Sequence, residues 1–352
     1  MSRTAVLVEQ NWNSVPGGTA RAANRLIDAL LKYTSVEPVG VHGTHRRPPT
    51  LALPRGIEFA QVPFPGRALQ QLWSRGQRPS LDRWVDASVI HAPAYVLPPT
   101  DRPTVVTIHD LAFVRHPEWF TPNGVAFFTR FLDLVCQSGS TVIVPSETTA
   151  NDCVAVGIDT ARIHTIPWGI DINAASPDDI ERVQRKYSLP DTFVLFVGTI
   201  EPRKNLETLV AAMERLDTPL VIVGPDGWGS VDVSQATLLG TVPDEDLSSI
   251  LAAASILAYP SRFEGFGLPV LEAMAQGTPV LVTESTAPAV IAGDAGVHVN
   301  TRSREAIAGA ISDLLAAPDE IQQMGLAGRE RASIYRWSDT ARAHAAIFEE
   351  LS

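Results

Sequence analysis

The amino-acid sequence predicts an α/β protein made of two doubly wound parallel-sheet domains, on three observations. At 352 residues the chain is about twice the length of an ordinary domain. Hydrophobic residues make up 45% and charged residues 19%, enough to bury a large interior and too apolar for a disordered chain. Short apolar runs alternate with helical patterns, break off once near residue 170, and then resume.

In the first half, TAVLVE (4–9), ASVIHA (87–92), TVVTIH (104–109) and TVIVP (141–145) read as parallel strands. Each is continuously apolar rather than alternating, as a strand covered on both faces must be. Helical patterns fall at about 18–33, 66–79, 122–137 and 146–156. The stretch 166–191 is rich in Pro, Gly and Asp and reads as the interdomain linker. Beyond it come TFVLFVG (192–198), a helix from Arg203, PLVIVG (219–224), TLLG (237–240), a helix over 244–254, SILAYP (255–260), a helix over 268–276 and PVLV (279–282). From 303 onward the pattern is almost wholly helical.

Several classes are excluded. The longest uncharged apolar run, 250–260, is far short of the roughly 20 residues of a membrane helix. The opening apolar stretch meets Glu9 at once and does not read as a secretory signal, so a cytoplasmic protein is expected. Two cysteines, Cys136 and Cys153, make neither a disulfide framework nor a structural zinc site, and Cys136 is expected in core packing. The net charge of −11 argues against a nucleic-acid partner. That charge is uneven: residues 1–170 hold 15 Lys/Arg against 13 Asp/Glu, whereas the rest hold 13 against 26. Arg46, Arg47, Arg55, Arg67, Arg75, Arg78 and Arg83 cluster within 46–85. The segment reads as a solvated loop region, as a contact to a phosphorylated acceptor or, with Trp73 and Trp84, as a peripheral contact to anionic lipid.

In doubly wound sheets ligands gather at the carboxyl ends of strands. No G-x-G-x-x-G follows a strand, and no G-x-x-x-x-G-K-[ST], G-x-S-x-G or H-E-x-x-H occurs. Instead the strand ending at Gly198 runs into Thr199-Ile200-Glu201-Pro202-Arg203-Lys204-Asn205. Pro202 suits a first helical turn, where free N–H groups and two adjacent cations would favour a diphosphate. SILAYP runs into Ser261-Arg262-Phe263-Glu264-Gly265-Phe266-Gly267-Leu268-Pro269-Val270-Leu271-Glu272. Two glycines allow close backbone approach. Glu264 lies just before the turn and Glu272 is expected on the first helical turn, facing the same mouth. In the first half His109 and Asp110 end a strand, His91 ends another as a weaker candidate, and Val15-Pro16-Gly17-Gly18 opens a helix.

The chain order Gly17-Gly18, His109-Asp110, Ser146, Gly198-Thr199 with Arg203-Lys204-Asn205, then Glu264 and, after seven residues, Glu272 resembles glycosyltransferase family 4, retaining enzymes of the two-Rossmann GT-B architecture. The resemblance covers about residues 5–300 and is strongest over SRFEGFGLPVLEAMAQGTPVL. One departure is the loop Ala287-Pro288-Ala289-Val290-Ile291-Ala292-Gly293, where the family often has Pro-Glu-Val before Gly-Asp-Ala.

The resemblance implies two Rossmann-like domains facing a central cleft: an acceptor-side domain at 1–167 and a nucleotide-sugar donor domain at 168–336. A helix of about 337–352 would cross back onto the first. Arg203 and Lys204 would hold the donor diphosphate and stabilise the leaving group. Glu264, with Gly265, Phe266, Gly267 and Leu268, would bind the transferred sugar, and Glu272 the ribose. His109 would sit beside the sugar. Gly17, Gly18 and Gly198 would line the donor, with Gly18, His91 and Asp110 toward the acceptor. No metal or other cofactor is implied; the nucleotide sugar is a co-substrate, GDP-mannose first, with UDP- or dTDP-sugars as alternatives. The acceptor would be a saccharide or lipid-linked glycan, as in polysaccharide biosynthesis, which would place the protein at the inner face of the plasma membrane if 46–85 touches lipid. The acceptor hydroxyl would approach the face that the diphosphate leaves, and the leaving phosphate oxygen would take its proton. Domain closure would exclude water. A hydrolase would also use two carboxylates but leaves Arg203 and Lys204 unexplained. A non-catalytic two-lobed sugar-binding protein is the other alternative.

Overall fold

The computed structural model of the protein describes residues 2–15, 17–171, 173–228 and 231–352. The chain divides into two compact units, Met1–Gly169 with Arg336–Ser352 and Ile170–Tyr335.

The first unit carries seven strands, β1 (Arg3–Leu7), β2 (Glu37–Thr44), β3 (Glu58–Pro65), β4 (Val89–Ala92), β5 (Thr104–Thr107), β6 (Thr141–Val144) and β7 (Ile163–Thr165). All pair in parallel in the order β3-β2-β1-β4-β5-β6-β7. Its helices are α1 (Gly17–Tyr33), α2 (Gly66–Trp73), α3 (Ala112–Arg115), α4 (Pro122–Gln137) and α5 (Glu147–Ala155). One face of the sheet, with Leu7, Ile90, Val106 and Val144, buries Leu69, Trp73, Phe131 and Val135.

Here the structure departs from the sequence reading. β2 and β3 lie where no strand is expected, because Gly40, Gly43, Pro63 and Pro65 read as turn residues. A Cβ at Gly40 would meet the Phe59 ring at 2.5 Å, so the glycine makes room for its neighbour strand. The prolines are tolerated because β3 is an edge strand. The basic segment is therefore not a plain loop: it holds β3 and α2, and the helix expected over 66–79 stops at Trp73. Trp73 is buried and donates from Nε1 to the Pro79 carbonyl at 2.8 Å, and Trp84 packs on Phe64. Trp73 is thus a core residue rather than a lipid anchor, while the seven arginines stay exposed. Cys136 is half-buried against the core and Cys153 fully buried.

The second unit begins with α6 (Pro177–Tyr187) and continues through β8 (Val194–Val197), α7 (Leu206–Met213), β9 (Leu220–Val223), β10 (Thr237–Gly240), α8 (Asp244–Ala253), β11 (Ile256–Tyr259), α9 (Leu268–Gln276), β12 (Val280–Thr283), α10 (Ala287–Ala292), β13 (Val297–Val299), α11 (Arg304–Leu315) and α12 (Pro318–Ala332). Six parallel strands run in the order β10-β9-β8-β11-β12-β13. α6 corrects the linker reading, and α10 corrects the loop reading at 287. α6 is polar enough to pass for a linker, but Ser176 caps it and its Arg182, Lys186 and Tyr187 converge on buried Asp246 of α8 at 2.6 to 2.7 Å. Burial alone would raise the Asp246 carboxyl, but these three donors hold it well below the usual range.

The chain then returns to the first unit as α13 (Trp337–Glu350), which packs against α1 and whose buried residues include Trp337, Ala341, His344 and Phe348. Beneath it His344 and His91 of β4 are both fully buried, ring centroids 5.9 Å apart. His344 donates from Nδ1 to the Thr340 carbonyl at 2.8 Å, and His91 Nε2 meets Thr107 Oγ1 at 2.9 Å. Burial pushes both down, His344 to about 4 against a partial lift from the Thr340 bond, and His91 further through its histidine neighbours. Both are neutral in the folded protein, whereas the unfolded chain takes up protons as pH falls through about 6.5. Stability should therefore be full above pH 6.5 and fall progressively toward pH 4. Thermal unfolding at pH 7, 6 and 5 checks this: the Tm drops across the series, and His344→Gln flattens the slope.

Candidate active site

Both sheets reverse their strand order once, between β1 and β4 in the first unit and between β8 and β11 in the second. At such a reversal the loops leave in opposite directions and open a crevice at the carboxyl ends. The marked residues of the second unit fall on the loops after β8 and β11 and on the start of α9.

After β8 the backbone passes Gly198, beside which Gly224 ends β9; a Cβ on Gly224 would lie 2.1 Å from the Gly198 carbonyl oxygen. Pro202–Lys204 forms a single 3-10 turn, Asn205 adopts the left-handed conformation at φ 57°, and α7 starts only at Leu206. The two cations therefore sit ahead of the helix rather than on it. The Lys204 N–H is already bonded to the Glu201 carbonyl at 3.1 Å.

Those side chains converge on Glu264. Arg203 Nη1 donates to Glu264 Oε2 at 2.7 Å and Lys204 Nζ to Oε1 at 2.5 Å. Lys204 also donates to the Tyr259 hydroxyl at 2.9 Å, which in turn donates to Glu264 Oε1 at 3.1 Å. Arg203 Nε pairs with Glu201 Oε1 at 2.6 Å, and the Arg262 N–H donates to the Arg203 carbonyl at 2.8 Å, tying the two loops together. Glu201, Lys204 and Glu264 are buried. Burial favours their neutral forms, raising Glu201 and lowering Lys204, but for Glu264 the charges of Arg203 and Lys204 outweigh it and hold the carboxyl at about 2. Two cations thus face two carboxylates in buried surroundings of low dielectric, where an anion would compete with Glu264 for both.

After β11 the loop Gly265, Phe266, Gly267 is buried and Gly267 caps α9 at φ 118°, where a Cβ would also press on Pro288 at 3.0 Å. Leu268 begins the helix, so the loop lies at its positive end. Glu272 is half-buried and is the fifth residue of α9, on its second turn and not its first.

In the first unit Gly17 and Gly18 open α1 after the turn at Glu9–Trp12; Pro16 lies outside the described residues. Gly17 has φ 64°, which favours glycine, whereas a Cβ on Gly18 would meet nothing within 4 Å. His109 is half-buried, with Nε2 donating to the Pro93 carbonyl at 2.7 Å; a carbonyl only accepts, so Nδ1 carries the lone pair. Burial lowers His109 despite that bond and Asp110, keeping it neutral near pH 7. Asp110 spends one oxygen on the Ala112 N–H at the start of α3. His91 is corrected: fully buried under α13, it is a core histidine with no route to an acceptor. Ser146 caps α5. The sequence pattern does not single out Tyr259 or Glu201, although both stand at a strand end beside a marked run. Among the described residues no group of three or more His, Cys, Asp or Glu is placed to hold a metal ion.

The family model described as Glycosyltransferase Family 4 matches residues 16–174, and that described as Glycosyl transferases group 1 matches 178–331. O-antigen chain mannosyltransferase B of Escherichia coli is 30% identical over 272 residues, which are 71% of each chain. A D-inositol 3-phosphate glycosyltransferase of Nocardia farcinica is 30% identical over 267 residues, 68% of this chain but 59% of that enzyme. Among solved structures, HepE of Anabaena in complex with UDP and glucose superposes over 100% of both chains at TM-score 0.76 and 17% identity. WaaG, a glycosyltransferase involved in lipopolysaccharide biosynthesis, does so over 98% of this chain and 99% of its own at TM-score 0.73 and 17% identity.

The buried ion cluster makes a stability prediction that needs no ligand. Lys204→Met leaves Glu264 short of a partner and should cost about 3 kcal/mol. Adding Glu264→Gln should recover at least about 1 kcal/mol of that, because the pair is coupled. Denaturant midpoints of the single and double variants measure the coupling, and strictly additive losses would contradict the geometry.

Proposed function

This chain belongs to glycosyltransferase family 4 and is a glycosyltransferase of the GT-B fold, a premise from which we propose that it moves a mannosyl group from GDP-mannose to a hydroxyl of a saccharide or lipid-linked glycan. The observation that carries the donor chemistry is the Arg203–Lys204 pair at the strand reversal, both cations held by Glu264 and Arg203 also by Glu201. The mannosyl reading is supported by the similarity to the mannosyltransferase of Escherichia coli over most of both chains.

On this reading the donor diphosphate takes Arg203 and Lys204 from Glu264 and neutralises their charge. Glu264, freed from both cations, accepts hydrogen bonds from hydroxyls of the sugar beside Gly265–Leu268. Glu272 accepts those of the ribose. As the glycosidic bond lengthens, negative charge grows on the leaving diphosphate, where the two cations stabilise it most. The acceptor hydroxyl adds to the same face and gives its proton to the departing phosphate oxygen, so configuration is retained and no metal is required. His109 Nδ1 accepts from a sugar hydroxyl, and Gly18 leaves its backbone open to the ligand. Asp110 keeps one oxygen in its turn and offers the other toward the acceptor, and Gly17 and Gly198 let backbone pass close to the donor. The exposed arginines of 46–85 would meet anionic headgroups at the inner face of the plasma membrane without help from Trp73. The name of the Nocardia relative favours a second reading of the acceptor alone, a phosphorylated polyol.

Thermal unfolding with GDP, UDP, dTDP and ADP and their sugars, without metal, tests the donor. GDP and GDP-mannose should raise the Tm, by linkage worth about 2.7 kcal/mol at a hundredfold excess over Kd. A shift with UDP or dTDP compounds instead would replace mannose with another hexose, and none with any nucleotide would remove the assignment of Arg203 and Lys204 to a donor diphosphate. Gly18→Ala separates structure from function in the first unit. Its stability should hold or rise slightly, since the site is open and helical, while turnover falls at least about tenfold because a methyl now meets the ligand. Unchanged turnover in a stable Gly18→Ala would remove Gly18 from the site.

A further inference from the structure

The mechanism above leaves one buried aromatic unused. Trp168 follows β7 in the run Ile166-Pro167-Trp168-Gly169 and is 2% exposed. Its ring is stacked with that of His109, centroids 5.7 Å apart and planes 22° apart, and with that of His344 at 6.0 Å and 21°. Trp337 packs on it at 6.0 Å and 44°.

The residues on either side of Trp168 are pinned by the same helix. Thr340 Oγ1 donates to the Pro167 carbonyl at 2.8 Å. Gly169 lies backbone against backbone on α13, since a Cβ there would fall 2.2 Å from the Trp337 nitrogen. With both neighbours anchored and two rings of α13 against it, the indole has no room to turn.

His109 is held less firmly by everything else around it. One hydrogen bond, Nε2 to Pro93, fixes an edge of the ring. Tyr95 is tilted by 55° at 6.5 Å and supplies no parallel wall. A half-turn of the imidazole about its bond to Cβ would put ring carbons where the two nitrogens stand, breaking the Pro93 bond that selects the tautomer and turning Nδ1 away from a ligand.

We propose that Trp168 is a positioning residue: pinned by the final helix, it holds the His109 ring in one plane and one tautomer, with Nδ1 open as a hydrogen-bond acceptor. The inference rests on the reading of His109 as a group that faces substrate. It gives the C-terminal helix a part in the reaction that its sequence, an ordinary amphipathic pattern, does not announce. It also accounts for an aromatic residue in a stretch whose Pro, Gly and Asp content speaks only of a connection.

The test uses the full chain labelled with 15N at histidine, in long-range 1H–15N spectra, with the His109 signals identified by their loss in His109→Ala. Wild type should show the single Nε2–H tautomer. Trp168→Phe, which keeps a flat ring, should preserve that pattern and most of the turnover of GDP-mannose. Trp168→Leu should average the two ring nitrogens and lower kcat about 10- to 100-fold with little change in KM, the signature of a misplaced group rather than a lost binding contact. His344→Gln provides a second variant that keeps the tryptophan, with the same averaging expected to a smaller degree. An unchanged His109 pattern in both Trp168→Leu and His344→Gln overturns the inference, even if turnover falls, because the loss would then be structural only. Failure of the functional reading looks different: wild type would not turn over GDP-mannose, or His109→Ala would turn it over as fast as wild type, while the spectra would still decide the role of Trp168.

Discussion

Glu264 is a carboxylate with almost no access to water, and it is tolerable in the fold because Arg203 and Lys204 reach it from the neighbouring loop. An isolated buried charge of this kind would take up a proton instead. Much of the second unit follows from that constraint. The strands β8 and β11 must be neighbours for their loops to meet, which the reversal in strand order provides. The backbone bond from Arg262 to Arg203 then keeps the loops in register, and Tyr259 fills the hydrogen-bonding capacity that Lys204 and Glu264 have left. On the function proposed above, cations already held in place by a substitute anion would need little reorganisation to take a diphosphate.

The first unit solves a different problem with neutral groups. His91, His344 and His109 are all pushed toward their uncharged forms by burial, and ring stacking rather than ion pairing organises them. A neutral imidazole with one nitrogen committed to a carbonyl is a directional acceptor, suited to reading a hydroxyl. The polar groups singled out in the two units thus differ in kind, paired charges in one and neutral rings in the other.

The segments that the sequence misrepresents share a cause. β2, β3 and α6 carry Gly, Pro or charge where a strand or helix pattern is normally apolar and regular. Each is stabilised by a partner distant in sequence: Phe59 packs over Gly40, the edge position spares the prolines of β3, and Asp246 gathers three donors from α6. His91 shows the same limit at the level of a single residue. At a strand end it looks poised for a ligand, but the helix that covers it arrives more than 240 residues later in the chain.

Local sequence was enough for the fold class, the central strands and the two loops after β8 and β11, because continuous apolar runs and Gly-Pro turns are short-range signals. It also marked Arg203, Lys204, Glu264 and His109 through their positions at strand ends. That Arg203 and Lys204 are already paired with Glu264, that Tyr259 and Glu201 join them, and that Trp168 stacks with His109 were decided only by tertiary structure. Each of those contacts depends on strand order or on the returning helix, which join residues that no local pattern connects.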